Sequence, residues 1–290
     1  MKQLTINSMQ ALVYAARKKQ FADSEGLIRS FPLNRCPGSD TRPFLQFFGE
    51  VPIEGEFERY VGWAHPEMIL QLRQKNLHLF IDSTYYCVPK GFYQCLVLMF
   101  YSEIYDMYLP AFYVLMTGKK ENLYTHVLSQ IVGACNWGLY ERSITCDYEQ
   151  ALLNAINTTW TKPEIIGCLF HWKQALRRKL IDLEISKDLV KELMDSDGLI
   201  NILTVVSPEE IPTKTIPYIR EKFPEEGYKS SFDKFWAYFL KTWMTTYDVK
   251  VNGKIFKCPV YYYIYCIEEY CMFFLKTNSS LYFCLICSYI

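Results

Sequence analysis

Apolar residues along this chain gather into short dense runs in its middle and into spaced stripes further on. LHLFIDSTY (77–85), QCLVLMFYS (94–102) and AFYVLMTG (111–118) are rich in β-branched, aromatic and aliphatic residues, and runs of this length predict strands. The turns between them are Pro89-Lys90-Gly91 and Glu103-Ile104-Tyr105-Asp106. Connections so short imply antiparallel neighbours, because a parallel return needs a longer crossover. In KKENLYTHVLSQIVGAC the apolar positions Leu123, Val127, Ile131 and Ala134 fall at helical spacing. A strand over 142–146 then leads into a helix, DYEQALLNAINTTW, that begins at Asp147 or Tyr148. A further strand, EIIGCLFH, is followed by a basic helix, WKQALRRKLI. The predicted order is βββαβαβα, an α/β core.

The flanks read differently. Residues 1–35 predict a short amphipathic helical piece and a loop, and Cys36-Pro37-Gly38-Ser39-Asp40 is turn chemistry. RYVGWAHPEMILQLRQ (59–74) reads as a helix restarting at Pro66, since proline is tolerated in a first turn. Residues 184–245 carry three helical stretches, with Gly198 and several prolines in the connections. Ser207-Pro208-Glu209-Glu210 is a helix start, with a serine placed to cap and acids in the first turn. From about 251 the chain becomes tyrosine, phenylalanine, isoleucine and cysteine. The expected organisation is 1–57 as an N-terminal helical and loop piece, 58–183 as the core, 184–250 as an all-helical insertion and 251–290 as an atypical tail.

Composition narrows this picture. Half of the 290 residues are hydrophobic and 17% aromatic, which supplies a substantial core. The formal net charge is zero, unlike the basic patch or stripe typical of a free-standing nucleic-acid binder. A metal site supplies its own positive charge, so a local DNA groove remains compatible. Eleven cysteines without a secretory cleavage pattern at the start predict reduced thiols and an intracellular protein. A membrane span is not expected, because Glu268, Glu269 and Lys276 interrupt the apolar tail.

Two aspartates carry the candidate chemistry. Asp82 closes the first strand of the core and Asp147 closes the fourth. Carboxylates on neighbouring strands are how a two-metal phosphoryl-transfer site is built, with Mg2+ or Mn2+ activating the attacking oxygen. Magnesium takes one or two carboxylates plus substrate phosphates, so few acids are needed. Taken singly, each aspartate reads more readily as a turn or helix-cap residue; together, on these strands, they favour metal. Cys168 and His171 form a C-x-x-H pair at a strand end. A structural zinc site needs four ligands and no second pair lies nearby, so a buried cysteine and a hydrogen-bonded histidine is the favoured reading. A thiol enzyme built on that pair lacks a supporting acid or oxyanion site, and Cys284 and Cys287 form another isolated pair. Lys173, Arg177, Arg178 and Lys179 share one short helix, which suits either a phosphate backbone or a solvated face.

At these residues the chain resembles the transposases of Mutator-like elements (MULE), a branch of the DDE transposases. The resemblance runs from about 58 to about 248. It rests on IDSTYYCVPKGFYQCLVLM, PAFYVLMTGKKENLYTHVL, CDYEQALLNAI, GCLFHWKQALRRK and FDKFWAYFLKTW, in that order. It implies a ribonuclease-H-like mixed sheet covered by helices, with a helical insertion before a final catalytic glutamate. Asp82 matches the first catalytic acid, Asp147 the second, and Cys168 and His171 the C-x-x-H motif. The expected cofactor is Mg2+ or Mn2+ at a two-metal site. The expected partner is double-stranded DNA at transposon ends, bound by a homo-oligomer in the nucleus. After FWAYFLKTW the family's arginine–threonine–asparagine–asparagine stretch and its glutamate are not found, so impaired catalysis is expected. The alternative is an inactive transposase-derived module that binds DNA or protein.

Overall fold

In the computed structural model of the protein the described residues are Cys36, 42–85, 88–161, 163–223 and 227–244, with the backbone of two strands between 246 and 259. The expectations for residues 1–35 and for the tail beyond 259, including Glu268, Glu269, Lys276, Cys284 and Cys287, lie outside them. The strands of the main sheet are β1 (Leu45–Ile53), β2 (Glu56–Trp63), β3 (Leu77–Thr84), β4 (Gln94–Ser102), β5 (Met107–Met116), β6 (Glu141–Cys146) and β7 (Glu164–Gly167). They form a mixed sheet in the order β1-β2-β5-β4-β3-β6-β7. Helices α1 (Pro66–Gln71), α2 (Glu121–Ala134), α3 (Gln150–Thr159) and α4 (Leu169–Asp182) alternate with them. The predicted βββαβαβα is present from β3 to α4. The chain divides into two compact units, Met1–Gln74 with Asp82–Tyr140, and Lys75–Ile81 with Glu141–Ile290.

The first unit is built on antiparallel pairing. β4 and β5 pair along their whole length, from Gln94↔Met116 to Ser102↔Met107, around the predicted four-residue turn. Upstream, β1 and β2 form a hairpin that pairs through β2 with β5, Tyr60↔Met116 to Trp63↔Tyr113. This corrects the helix expected over 59–74, which exists only as Pro66–Gln71. Alternate aromatic residues facing cross-strand neighbours hold 59–63 as strand: Phe47 lies 6.0 Å from Tyr60 and 6.0 Å from Phe112. The missed signal is Glu54-Gly55, a two-residue turn with φ of 54° and 86°, the left-handed pair that a tight hairpin requires. Gln94 is wholly buried. Its amide nitrogen donates to the Gly118 carbonyl at 2.9 Å and meets the Tyr124 hydroxyl at 2.8 Å, tying β4 to α2.

The second unit is built on parallel pairing and an aromatic helical core. β3 runs parallel to β6 and β6 parallel to β7. Beyond α4 lie α5 (Lys187–Met194), a 3-10 helix (Leu199–Thr204), a second 3-10 turn (Pro208–Glu210), a π turn (Ile211–Thr215), α6 (Ile216–Lys222) and α7 (Lys229–Trp243). The insertion is helical as expected, but broken more often than expected. Pro212 and Pro217 remove backbone donors from the second stretch, and the chain there winds through 3-10, π and α turns. Ser207 occupies the cap position without a side-chain cap hydrogen bond, a correction to the helix start expected of it. Ser186 does cap α5, accepting from the Leu189 amide. The core of this region includes Trp172, Phe232, Phe235, Trp236, Phe239 and Trp243. A two-stranded antiparallel sheet, β8 (Thr246–Val251) and β9 (Lys254–Pro259), crosses the boundary expected at 250.

Candidate active site

The β3–β6 register leads to the candidate residues. Its Cα partners are His78↔Ser143, Leu79↔Ile144, Phe80↔Thr145 and Ile81↔Cys146. Side chains alternate faces along a strand, so His78 and Phe80 share one face of β3, and Ser143 and Thr145 the matching face of β6. His78 Nδ1 and Ser143 Oγ meet at 2.6 Å, pinning that register. The residue that follows Ile81 is Asp82, and the one that follows Cys146 is Asp147.

Each aspartate accepts the backbone N–H of its successor: Ser83 N to Asp82 Oδ1 at 2.7 Å, and Tyr148 N to Asp147 Oδ1 at 2.6 Å. These bonds limit carboxylate rotation before any ligand arrives. Asp82 lies inside β3, whereas Asp147 stands three residues ahead of α3, whose cap position is Glu149. The expectation that Asp147 or Tyr148 opens the helix is corrected by that short step. Sequence placed the junction correctly, but the first helical hydrogen bonds form later.

Cys168 and His171 belong to a helix start instead of a strand end. β7 stops at Gly167, Cys168 is the cap position of α4, and His171 lies in its first turn. Cys168 N donates to Cys146 O at 2.9 Å, extending the β6–β7 ladder by one step into the helix. That step brings His171 Nδ1 to 3.9 Å from Asp147 Oδ1, with the side chains 22% and 43% exposed. The fourth-strand aspartate and the histidine of the C-x-x-H pair are therefore neighbours, which spacing alone did not reveal.

A close approach supports this corner from behind. A Cβ on Gly167 would stand 2.2 Å from the Tyr148 hydroxyl, so only glycine leaves room for that ring. Tyr148 meets Trp243 edge-on at 5.0 Å, and Trp172 meets both Trp243 and Phe239 at 6.4 Å. The FDKFWAYFLKTW segment thus packs against the residues flanking Asp147 and His171. Edge-to-face pairs add directional preference to burial.

The basic helix divides. Arg177 and Arg178 are exposed and Lys173 is half-buried, while Lys179 lies 5.2 Å from the Tyr238 ring and is engaged by α7. Arg178 also hydrogen-bonds Gln174. As donors, the aspartates fit a divalent cation: carboxylate oxygens suit Mg2+ and Mn2+. No group of three or more His, Cys, Asp and Glu side chains poised to hold a metal occurs among the described residues. No helix among them is long and apolar enough to cross a membrane.

Residues 78–175 match the family model of the MULE transposase domain. No curated protein matches the chain. Among solved structures, the Drosophila P element transposase strand transfer complex aligns at 9% identity over 66% of this chain and 51% of that chain, with a TM-score of 0.29. This chain thus spans about half the length of that one, and a superposition so loose carries no weight here. The family match is narrower than the 58–248 read from the sequence, yet it contains Asp82, Asp147, Cys168 and His171. The resemblance to the MULE transposase family is borne out across 78–175, the segment that carries both aspartates and the C-x-x-H pair.

Proposed function

We propose that this chain is the core of a MULE-type DDE transposase with a ribonuclease-H-like fold, its catalysis impaired because the third catalytic acid is not found, and that Asp82 and Asp147 are its metal-binding carboxylates. The observation that carries the reading is the parallel β3–β6 register, whose last pair, Ile81↔Cys146, is followed on both strands by an aspartate. Mg2+ or Mn2+, when bound there, polarises the scissile phosphate and activates the attacking water or 3′-hydroxyl. The protein's own part is to hold both carboxylates oriented, each restrained by the N–H of the next residue. Lys173, Arg177 and Arg178 supply backbone contacts to double-stranded DNA. By family, the working form is a homo-oligomer on paired DNA ends in the nucleus.

The test is Mg2+- or Mn2+-dependent nicking of duplex DNA by the full chain. Asp82→Ala and Asp147→Ala are each expected to lower it at least about 10²-fold, the scale of losing one preorganised electrostatic group. Unchanged nicking in either variant overturns the assignment of that residue. A second reading is a transposase-derived module that binds DNA or protein without cutting. It is favoured by the aromatic core around Trp172 and Trp243, which gives the second unit packing that needs no metal. Duplex binding by a folded sample without nicking in either metal decides for it.

A further inference from the structure

We propose that Tyr85 and Tyr93 form a stacking platform for an unpaired DNA base beside Asp82, so that the strand is opened where it is acted on. The proposal rests on the reading of this chain as one that acts on DNA. Its ground is the placement of the two rings. Tyr85 follows Asp82 by three residues, at most about 11 Å of extended chain. Tyr93 directly precedes β4, its N–H donating to the Met116 carbonyl at 2.8 Å. The two rings meet edge to face, 5.5 Å apart at 78°. Tyr85 is nevertheless 49% and Tyr93 46% exposed. All of these residues lie in the first unit.

Ring chemistry sets the occupant. An edge-to-face contact covers one face of one ring only, and about half of each residue stays open to solvent. A base stacks on such a surface whatever its identity, because every base has a π-face. In a paired duplex those faces are covered by neighbouring base pairs, so the platform accepts only a base that has left the stack. Charge plays the lesser part. Arg59 lies 6.0 Å over the ring of Phe92, the residue before Tyr93, and Lys90 is exposed in the preceding turn. Glu50 is the cross-strand partner of Arg59, and the neighbouring Glu58 accepts from the Thr117 hydroxyl at 2.5 Å. Two cations and two carboxylates leave this end of the sheet near neutral, so ring faces supply the preference. A preference of that origin holds as salt rises, unlike one built on phosphate neutralisation.

The experiment uses the full chain with EDTA present, so neither metal nor turnover enters. Fluorescence anisotropy compares a fully paired duplex with the same duplex carrying a short bubble of unpaired bases. The bubble is expected to bind about tenfold tighter, with a ratio that holds between about 50 and about 200 mM salt. Tyr85→Ala and Tyr93→Ala should each lower that ratio about fivefold or more, while Tyr85→Phe and Tyr93→Phe keep it. Binding of both probes with a wild-type ratio near one, or a ratio retained in either alanine variant, overturns the two-ring platform and leaves the DNA reading standing. A loss in the phenylalanine variants as large as in the alanine variants assigns the effect to the hydroxyls and overturns stacking. No binding to either probe overturns both the platform and the reading on which it rests. A wild-type arm decides the matter even if the variants fail to fold. A 5-iododeoxyuridine in the bubble is photocrosslinked to the protein and the adduct is mapped by mass spectrometry. Adducts on Tyr85 or Tyr93 are expected, and adducts only elsewhere overturn the proposal.

Discussion

The two units solve the same problem, a stable α/β core, with different bonds. In the first, antiparallel ladders are closed by tight turns, Glu54-Gly55 and the four residues between Ser102 and Met107, and each strand is fixed by a partner near in sequence. In the second, His78 pairs with Ser143 across 65 intervening steps, and the strands stop where helices begin. Parallel strands must return through a crossover, so their ends open onto strand–helix junctions. Such junctions are where open α/β sheets place their chemistry. Asp147, Cys168 and His171 all sit at junctions of this kind, while the hairpin turns of the first unit carry none of the candidate residues. The lesson concerns topology: local pairing builds a scaffold, and crossover pairing builds corners where distant residues meet.

Three tests break or sharpen that contrast. The largest effect is expected from Trp172→Ala. Its ring is wholly buried and touches Trp243 and Phe239, so truncation should destabilise by about 3–5 kcal/mol in urea unfolding. Phe112→Ala, equally buried and stacked on Phe47 in the first unit, should cost a similar amount. The contrast lies in metal affinity of the folded fraction, expected to fall with Trp172→Ala and to hold with Phe112→Ala. Equal effects on affinity would remove the distinction between scaffold and corner.

Gly167→Ala comes next. The added methyl collides with the Tyr148 ring, and overpacking of this kind costs about 1–3 kcal/mol. Displacing Tyr148 also shifts the N–H that restrains Asp147. Calorimetry should show a lowered Tm, and a second change, Tyr148→Ala, should relieve the collision. A double variant no more stable than Gly167→Ala would show that the close approach is not what the glycine serves.

The smallest effect concerns thiols. Burial raises the Cys135 thiol in the first unit to about 11, with Arg73 opposing in part. Its folded value lies above the ordinary 9.0, so the neutral thiol is favoured by folding. That contribution is complete below the ordinary value and is lost as pH rises from there through about 11. At pH 8 alkylation followed by mass spectrometry should therefore label the partly exposed Cys168 well before Cys135. Labelling of Cys135 at an equal or faster rate would contradict the buried position at the end of α2.

Much of this protein was legible without coordinates. Dense apolar runs and short polar turns located β3, β4 and β5, and the change to helical spacing located α2, because these patterns follow from the pleat and the helical pitch alone. Their places at the ends of apolar runs picked out Asp82, Asp147, Cys168 and His171, and the resemblance to MULE transposases then matched them to its motifs. The β1–β2 hairpin was hidden, since 59–63 carries apolar residues compatible with a helical stripe and becomes strand only through its partners at 47–49 and 113–116. The pairing of Asp147 with His171 was hidden too. Both residues were named from sequence, but their meeting depends on β6 and β7 running parallel and on α4 starting one residue after the ladder ends. Periodicity acts between neighbours in sequence, and the chain alone determined whatever depends on it. Register across long crossovers is set by burying whole faces at once, and only the tertiary structure decided that.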